Sequence, residues 1–370
     1  MVLMFLIIVH RGVVTSIGAV VIVQAIMFHE IIKVIQSERK EKQLVLFRFI
    51  LYYFLIVTTF SLTVYHIRAQ LEQSWPMYVA ASLDFYPLVV FMLFVIGFMA
   101  FVLSLKAGLY RYQFIQFSGT VVTLLFITVQ GSLIIPNMLR GMIWFLLPTS
   151  CVIINDTFAY LCGKAFGHRS LLKLSPKKTV EGFIGSAIFT IFWAWWFSSF
   201  LCNFPGLVCP TYDFTSPATC EPSAMYVRTK LKYPDFIPKY LQGFLFHSSG
   251  VNSGFFYRPI QLHALVLATF ASLVAPFGGF FASGFKRAFK LKDFGALIPG
   301  HGGMTDRMDC QFIMAVFTYL YYEYFVEYDR NYICGNLDME KMLLCISHLK
   351  KEDLVAMRYY IKGLLRDKVN

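Results

Sequence analysis

Long apolar stretches alternate with shorter polar connections along most of the chain. A helix needs about 20 predominantly apolar residues to cross the hydrocarbon core of a bilayer. Eight windows meet that requirement: residues 3–27, 45–65, 86–105, 115–135, 141–162, 183–203, 262–282 and 310–327. The pattern therefore predicts an all-α, polytopic integral membrane bundle of about eight to nine transmembrane helices.

The first window contains His10 and Arg11 and is too long, with the wrong flanks, for a cleaved signal peptide. We interpret it as a retained span whose Arg11 is either buried in the bundle or extended to the interface.

Lysine and arginine residues alternate between rich and poor connections. The rich connections are 33–42, 106–111, 164–178 and 286–307, whereas Arg68 and Arg140 stand alone between them. Basic connections favour the cytoplasmic side, so the two strongest polar segments face that compartment. The 204–261 loop then falls on the lumenal side, where Cys209 and Cys220 pair if the compartment is oxidising.

Residues 1–327 form the predicted transmembrane catalytic domain, which includes that loop, and residues 328–370 form a polar or amphipathic tail. The tail does not fit the alternation of eight spans. Either a ninth or re-entrant segment exists, or the tail does not follow the charge rule.

Composition narrows the function classes. The chain is 57% hydrophobic and 15% charged, against about 45–50% and about 25% in soluble domains. Its net charge of +12 favours anionic lipid or nucleotide phosphates. No zinc-finger or RNA-binding pattern is present, so we expect no nucleic-acid partner. The cysteines show no CxxC spacing, which argues against structural zinc.

The densest polar segment is SGFKRAFKLKDFGALIPGHGGMTDRMD, residues 283–309. Asp306 and Asp309 are three residues apart and share a helix face, which suits joint binding of Mg²⁺ that keeps water and substrate phosphates in its shell. The glycines around His301 let the backbone approach a ligand closely. His301 itself is a better hydrogen-bond donor than metal ligand. The alternative is a solvated loop with a capped helix start.

A second polar cluster covers residues 154–182. Asp156 lies inside an apolar window, where a carboxylate costs about 2.5–3.5 kcal/mol unless it is paired, hydrated or metal-bound. The alternative is a structural partner for a neighbouring cation. Lys177 and Lys178 lie near a predicted helix N-terminus that favours phosphate, although a basic pair there also serves as a topology anchor. Glu181 is suited to orienting a lysine or hydroxyl.

The run S-x-F-KR-x4-KD-x-G-x2-IP-x-HGGM-x-DRM-D, residues 283–309, resembles the long and specific pattern of the CDP-diacylglycerol synthases, or phosphatidate cytidylyltransferases. SPKKTVEGF resembles that family's second conserved block, and the similarity extends over residues 45–327, closest to eukaryotic endomembrane members. One position departs: bacterial relatives commonly carry Asp where this chain has Gly279, so that ligand is not carried over.

The resemblance implies transfer of CMP from CTP to phosphatidate, giving CDP-diacylglycerol and pyrophosphate for phosphatidylinositol and phosphatidylglycerol biosynthesis. It further implies a homodimer in the endoplasmic reticulum membrane, an active site facing the cytoplasm, and Mg²⁺ with room for a second cation. The expected metal ligands are Asp306 and Asp309, with Asp293 or Asp156 completing the shell or binding the second cation.

The remaining roles are phosphate neutralisation and orientation of the nucleotide. Asp306, Asp309, Lys286 and Arg287 form the expected catalytic group. The expected nucleotide- and phosphate-binding group is Ser175, Lys177, Lys178, Glu181, Lys292, His301 and Arg307.

Three other functions are alternatives to this one. A CDP-alcohol phosphatidyltransferase would carry a DGxxAR start and a wider aspartate ladder, which the sequence lacks. A CTP-dependent lipid kinase of the dolichol kinase type would release CDP instead of pyrophosphate. An anion transporter would use the basic loops and Asp156, but transporters often show inverted repeats and no such symmetry is evident.

Overall fold

A computed structural model describes residues 7–36, 44–75, 83–172, 175–211, 214, 220, 222–232, 254–295 and 302–327. The chain forms two compact units, Met1–Tyr319 and Leu320–Asn370. Every residue of the candidate site that the structure describes lies in the first unit. The predicted tail, 328–370, lies outside the described residues.

Seven helical segments in the described part are long and apolar enough to span a membrane, so the predicted polytopic helical architecture is confirmed. Single helices form five of them: α1 (Val13–Ile35), α2 (Val45–Ser74), α3 (Tyr86–Leu103), α7 (Ile143–Phe166) and α8 (Val180–Leu201). The fourth segment joins α4 (Tyr110–Thr123), a π-helical turn (Leu124–Val129), α5 (Gln130–Ser132) and α6 (Ile134–Leu139). The seventh joins α10 (Ile260–Leu273) and α11 (Pro276–Ala288), which meet just before Pro276.

The first spanning helix begins and ends later than the predicted window, residues 3–27. Gly12 adopts a φ of 100°, so the spanning helix begins only at Val13 and continues to Ile35. Arg11 precedes the helix and is exposed, so the alternative in which it is buried in the bundle is wrong.

The eighth window is helical but is not among the seven spans. Its α-helix, α12, covers Thr305–Tyr321 and continues as a π-helical turn, Tyr322–Glu327. The α-helical part has 17 residues and begins with two aspartates and an arginine. Short length and a polar first turn both disqualify it as an ordinary apolar span.

The remaining elements are short. The described strands form two antiparallel pairs, β1 (Ser170–Leu172) with β2 (Ser175–Thr179), and β3 (Thr229–Lys232) with β4 (Gly254–Tyr257). Helix α9 (Pro205–Val208) follows α8, with 3-10 turns at Leu83–Phe85 and Ala224–Tyr226.

Helix α12 packs against helices from both halves of the bundle. The amide of Asn137 on α6 donates to the carbonyl of Ala315 at 3.0 Å. On the other side the rings of Phe270 and Phe317 stack with centroids 3.7 Å apart. Helix α12 therefore links α4–α6 to the group formed by α7, α8 and α10.

The polar connections separate to the two ends of the bundle. At one end, Thr211 N donates to Leu139 O at 2.8 Å, and a disulfide joins Cys209 to Cys220. At the other end, the amide of Gln116 donates to Ile35 O at 2.7 Å. The described parts of the 164–178 and 286–307 segments share this second end, as the charge pattern predicts.

A glycine in α11 sets its distance from α12. A Cβ at Gly278 would lie 2.5 Å from the carbonyl oxygen of Asp309, a backbone atom that cannot rotate away. We expect Gly278→Ala to destabilise the protein by about 1–3 kcal/mol, as overpacking does. Thermal unfolding in detergent measures this. The control is Gly18→Ala in α1, where a Cβ meets no atom within 4 Å; equal unfolding midpoints for the two variants would contradict the packing.

Candidate active site

A carboxylate and a lysine meet where α7 faces the start of α8. Asp156 belongs to α7, and Lys178 to strand β2, which leads into α8. The junction between β2 and α8 is stabilised by an N-cap, because Thr179 Oγ1 accepts a hydrogen bond from Gly182 N at 3.2 Å. Lys178 Nζ lies 4.0 Å from Asp156 Oδ1 and 4.8 Å from the centre of the Phe280 ring.

Asp309 of α12 joins this pair from the side of α11. A Cβ at Gly279 would lie 3.4 Å from Asp309 Oδ2 and 3.6 Å from Lys178 Nζ. Position 279 is therefore within van der Waals distance of both groups. Four elements, α7, β2, α11 and α12, converge on two carboxylates and one ammonium group.

The charges of this group are coupled. Asp309 lies in the first turns of α12, outside the seven spanning segments. Partial burial raises the pKa of Asp309 to about 6, and the negative charge of Asp156 adds to the rise. Two nearby carboxylates repel each other, so a cation between or beside them lowers the free energy of the ionised pair.

Asp306 has a different environment. Its Oδ1 accepts from Lys286 Nζ at 2.6 Å, and its Oδ2 accepts from the backbone N–H groups of Phe294 and Gly303, both at 3.0 Å. The side chain is only 6% exposed. Both oxygens of Asp306 are therefore engaged in holding the turn that precedes α12.

The structure gives Asp306 and Asp309 different hydrogen-bond partners, although they are three positions apart on one helix. The first turn of a helix has N–H groups without intrahelical partners. Asp306 folds back onto such backbone groups, while Asp309, one turn later, faces α11. Among the described residues, no three His, Cys, Asp or Glu side chains form a metal-binding group.

The other predicted residues of this segment lie around the Asp306 turn. Asp293 and Asp306 both lie beside Gly302. A Cβ at Gly302 would lie 3.4 Å from Asp293 Oδ1 and 3.1 Å from Asp306 Oδ2. Lys292 is exposed. Arg287 is exposed and donates to Leu291 O at 3.0 Å.

Two further residues lie near the Asp156 side of the site or support its turn. Arg307 interacts electrostatically with Asp156. Glu181 Oε2 accepts from the backbone N–H groups of His168 and Arg169 at 3.1 and 3.3 Å. The side chains of Ser175 and Lys177, and all of His301, lie outside the described residues.

Glu30 is a residue of this end that the sequence analysis did not select. It lies in α1 and is 7% exposed, and its carboxylate accepts hydrogen bonds from Met304 and Thr305. The first apolar window ended at residue 27. Extending that window to Ile35, where the helix ends, places a carboxylate in a spanning helix, the same signal that selected Asp156.

The donor set fits Mg²⁺, as the chemistry of the residues shows. The closest ion pair that the described residues give to Asp156 or Asp309 is the 4.0 Å contact with Lys178. Asp309 Oδ1 accepts from Cys310 N at 2.8 Å, and its Oδ2 and the Asp156 carboxylate keep lone pairs for a cation. Mg²⁺ is commonly bound through one or two carboxylates, with water and substrate phosphates as its other ligands. Asp306, whose oxygens are already occupied, fits this role less well.

The matches to known proteins cover most of the chain. The model of the Cytidylyltransferase family matches residues 1–325. The chain is similar to "Phosphatidate cytidylyltransferase 1" of Arabidopsis thaliana, with 38% identity over 376 residues, 99% of this chain and 85% of that protein. The chain is also similar to the "Probable phosphatidate cytidylyltransferase" of Dictyostelium discoideum, with 40% identity over 345 residues, 90% of this chain and 71% of that protein. "Phosphatidate cytidylyltransferase 2" of Homo sapiens is 40% identical over 337 residues, 88% and 73%.

Proposed function

Because the chain belongs to the Cytidylyltransferase family, we propose that it is a membrane-embedded phosphatidate cytidylyltransferase that transfers CMP from CTP to phosphatidate. The observation that carries the proposal is the convergence of Asp156, Asp309 and Lys178 at the end of the bundle where the basic segments lie. Paired carboxylates and lysines match a reaction between two polyanions. The relatives' names agree with this chemistry.

The reaction needs positioning more than proton transfer. A phosphate oxygen of phosphatidate attacks the α-phosphorus of CTP, the new P–O bond forms as the bond to the β-phosphate bridging oxygen breaks, and pyrophosphate leaves. A phosphate monoester is already ionised near neutral pH, so no side-chain base is required. Alignment and charge neutralisation then supply the rate enhancement.

The chain's own residues divide these tasks. Lys178, held beside Asp156, offers positive charge to phosphate oxygens at the meeting point of four elements. We assign Lys177, Lys286, Arg287 and Lys292 to neutralising the pyrophosphate and the phosphatidate headgroup, and Ser175, Glu181, His301 and Arg307 to orienting the nucleotide. When bound, Mg²⁺ held by Asp156 and Asp309 would neutralise phosphate charge. Asp293 is the proposed ligand for a second cation.

The assignment of roles differs from the sequence expectation at one residue. Asp306 supports the site by holding Lys286 and the turn before α12, instead of acting as a metal ligand beside Asp309. Its replacement should therefore impair the enzyme through disorder of the turn.

A labelling experiment separates transfer from phosphorylation. Purified protein with phosphatidate and Mg²⁺ receives CTP labelled either at the α- or at the γ-phosphate. We expect α-label in CDP-diacylglycerol and γ-label in pyrophosphate. Transfer of γ-label to lipid with release of CDP would indicate the kinase. Flux of anions without CTP, and no labelled lipid, would indicate the transporter.

The protein is an integral membrane protein, and we place it in the endoplasmic reticulum with the active site facing the cytoplasm. Basic connections at the active-site end support this orientation. The disulfide between Cys209 and Cys220 at the opposite end supports it as well, because disulfides persist in oxidising compartments such as the endoplasmic reticulum lumen.

Glycosylation acceptors report this orientation directly. Val227→Asn creates an Asn-Arg-Thr acceptor in the 204–261 loop, and His168→Asn creates an Asn-Arg-Ser acceptor near the active-site end. Both positions are exposed. In endoplasmic reticulum membranes we expect glycan addition to the Val227→Asn variant alone, seen as a gel shift removed by glycosidase. A shift confined to the His168→Asn variant would contradict the orientation.

We also propose that the protein is a homodimer, as the family resemblance implies. Its mass in detergent, measured by light scattering, is expected to correspond to two copies of the 42.5 kDa chain.

A further inference from the structure

Glu30 of α1 binds the start of α12 through three hydrogen bonds. Its Oε1 accepts from Met304 N at 2.9 Å, and its Oε2 accepts from Thr305 N at 2.9 Å and from Thr305 Oγ1 at 2.8 Å. These residues are 274 and 275 positions away in the chain. A carboxylate from the first spanning helix thus caps the helix that carries Asp309.

The site around Glu30 is shaped for a carboxylate. A Cβ at Gly303 would lie 2.7 Å from Glu30 Oε2, and a Cβ at Gly295 would lie 2.8 Å from Oε1. Both positions therefore have to remain without a side chain for Glu30 to reach the backbone. No lysine or arginine in the described part of the chain forms an ion pair with Glu30. Backbone N–H groups and the helix dipole balance its charge.

Glu30 and Asp306 hold neighbouring parts of one turn. Asp306 accepts from the N–H of Gly303, and Glu30 accepts from the next two N–H groups, those of Met304 and Thr305. Since Asp306 also pairs with Lys286, the position of that lysine depends on the same turn. Loss of either carboxylate frees part of the segment that leads into Asp309.

We propose that Glu30 is a positioning residue for the transfer reaction, acting through the 302–306 turn on Asp306, Lys286 and Asp309. The inference rests on the proposed function. It also implies that the N-terminus of α12 is filled by an internal carboxylate, so substrate phosphates are bound by lysine and arginine side chains instead of by this helix terminus.

The test is a double-mutant cycle on kcat. Glu30→Gln presents an amide N–H to a backbone donor and should lower kcat about 10- to 100-fold, the range seen when partners that orient a metal ligand are lost. The KM for CTP should change by less than about threefold, because substrate contacts remain. The kcat of the Glu30→Gln, Asp306→Asn double variant should lie within about threefold of the kcat of the more impaired single variant, since both residues act on one turn.

A role in folding alone would give a different result. If Glu30 and Asp306 acted independently, the reductions of kcat in the two single variants would multiply in the double variant. That result would overturn the proposal. Gln24→Leu is the matched control, because Gln24 is 2% exposed and lies earlier on α1 away from the turn; its kcat should equal that of the wild type. A kcat as low as that of Glu30→Gln would also overturn the proposal.

A second variant keeps the test decisive if Glu30→Gln does not fold. Thr305→Val removes only the hydroxyl donor to Glu30, leaves the two backbone donors, and should lower kcat a few-fold in a folded protein; unchanged kcat would refute the proposal. If the wild type forms no CDP-diacylglycerol, the proposed function fails and this inference with it. An active wild type whose kcat the Glu30→Gln variant matches refutes the inference alone.

Discussion

Replacing Asp309 with asparagine should reduce CDP-diacylglycerol formation by at least about 100-fold, the loss expected when a preorganised electrostatic group is removed from a reacting centre. The charges of Asp309 and Asp156 interact, and both side chains lie near Lys178, so an amide at position 309 removes half of the charge that attracts a divalent cation. The measurement is turnover of labelled CTP by purified protein in phosphatidate-containing micelles.

The control separates this loss from a loss of fold. Asp84 is an aspartate outside the site that pairs with Arg68 at 2.9 Å and is 71% exposed. Asp84→Asn should keep turnover within about twofold, since exposed ion pairs contribute little. Both variants should elute as single species at the wild-type volume. Near-normal turnover by a folded Asp309→Asn variant would remove Asp309 from the metal site.

Replacing Lys178 with methionine should lower kcat/KM about 100-fold, because it removes an ammonium group that lies 4.0 Å from Asp156. Methionine is similar in length to lysine but has no ammonium group, so the contact of Lys178 Nζ with the Phe280 ring, 4.8 Å from its centre, is lost together with the charge. Steady-state rates at varied CTP and varied phosphatidate measure which substrate loses affinity.

Lys106→Met is the matched control, because Lys106 is exposed in another basic connection between spanning helices. We expect kcat/KM to stay within about twofold of the wild type, as for a surface charge. If Lys178→Met behaves like Lys106→Met, the SPKK segment serves only to fix the topology of α8.

The spanning helices were largely predictable because burial in a bilayer demands continuous apolar length. The failures have local causes. Gly12, with a φ of 100°, breaks the first window and moves the span to Val13–Ile35. Helix α12 combines a polar first turn with an apolar body, so a window count includes it while its first turn belongs to the site.

The candidate site was predictable in its residue types more than in its pairings. Asp156 stood out as a carboxylate inside an apolar window, and Asp309 as one of two acids in the densest polar segment, yet their mutual approach depends on the packing of α7, α11 and α12. Helical spacing placed Asp306 and Asp309 on one face. It could not show that Asp306 folds back onto the N–H groups of Phe294 and Gly303.

Mn²⁺ binding to the purified protein, followed by the loss of the free-ion signal in electron paramagnetic resonance, tests the central claim that Asp156 and Asp309 hold the divalent cation. The wild type and the Asp306→Asn variant should bind the ion, whereas Asp309→Asn and Asp156→Asn should lose it. Retained binding in both of the latter variants, or loss confined to Asp306→Asn, would contradict the account.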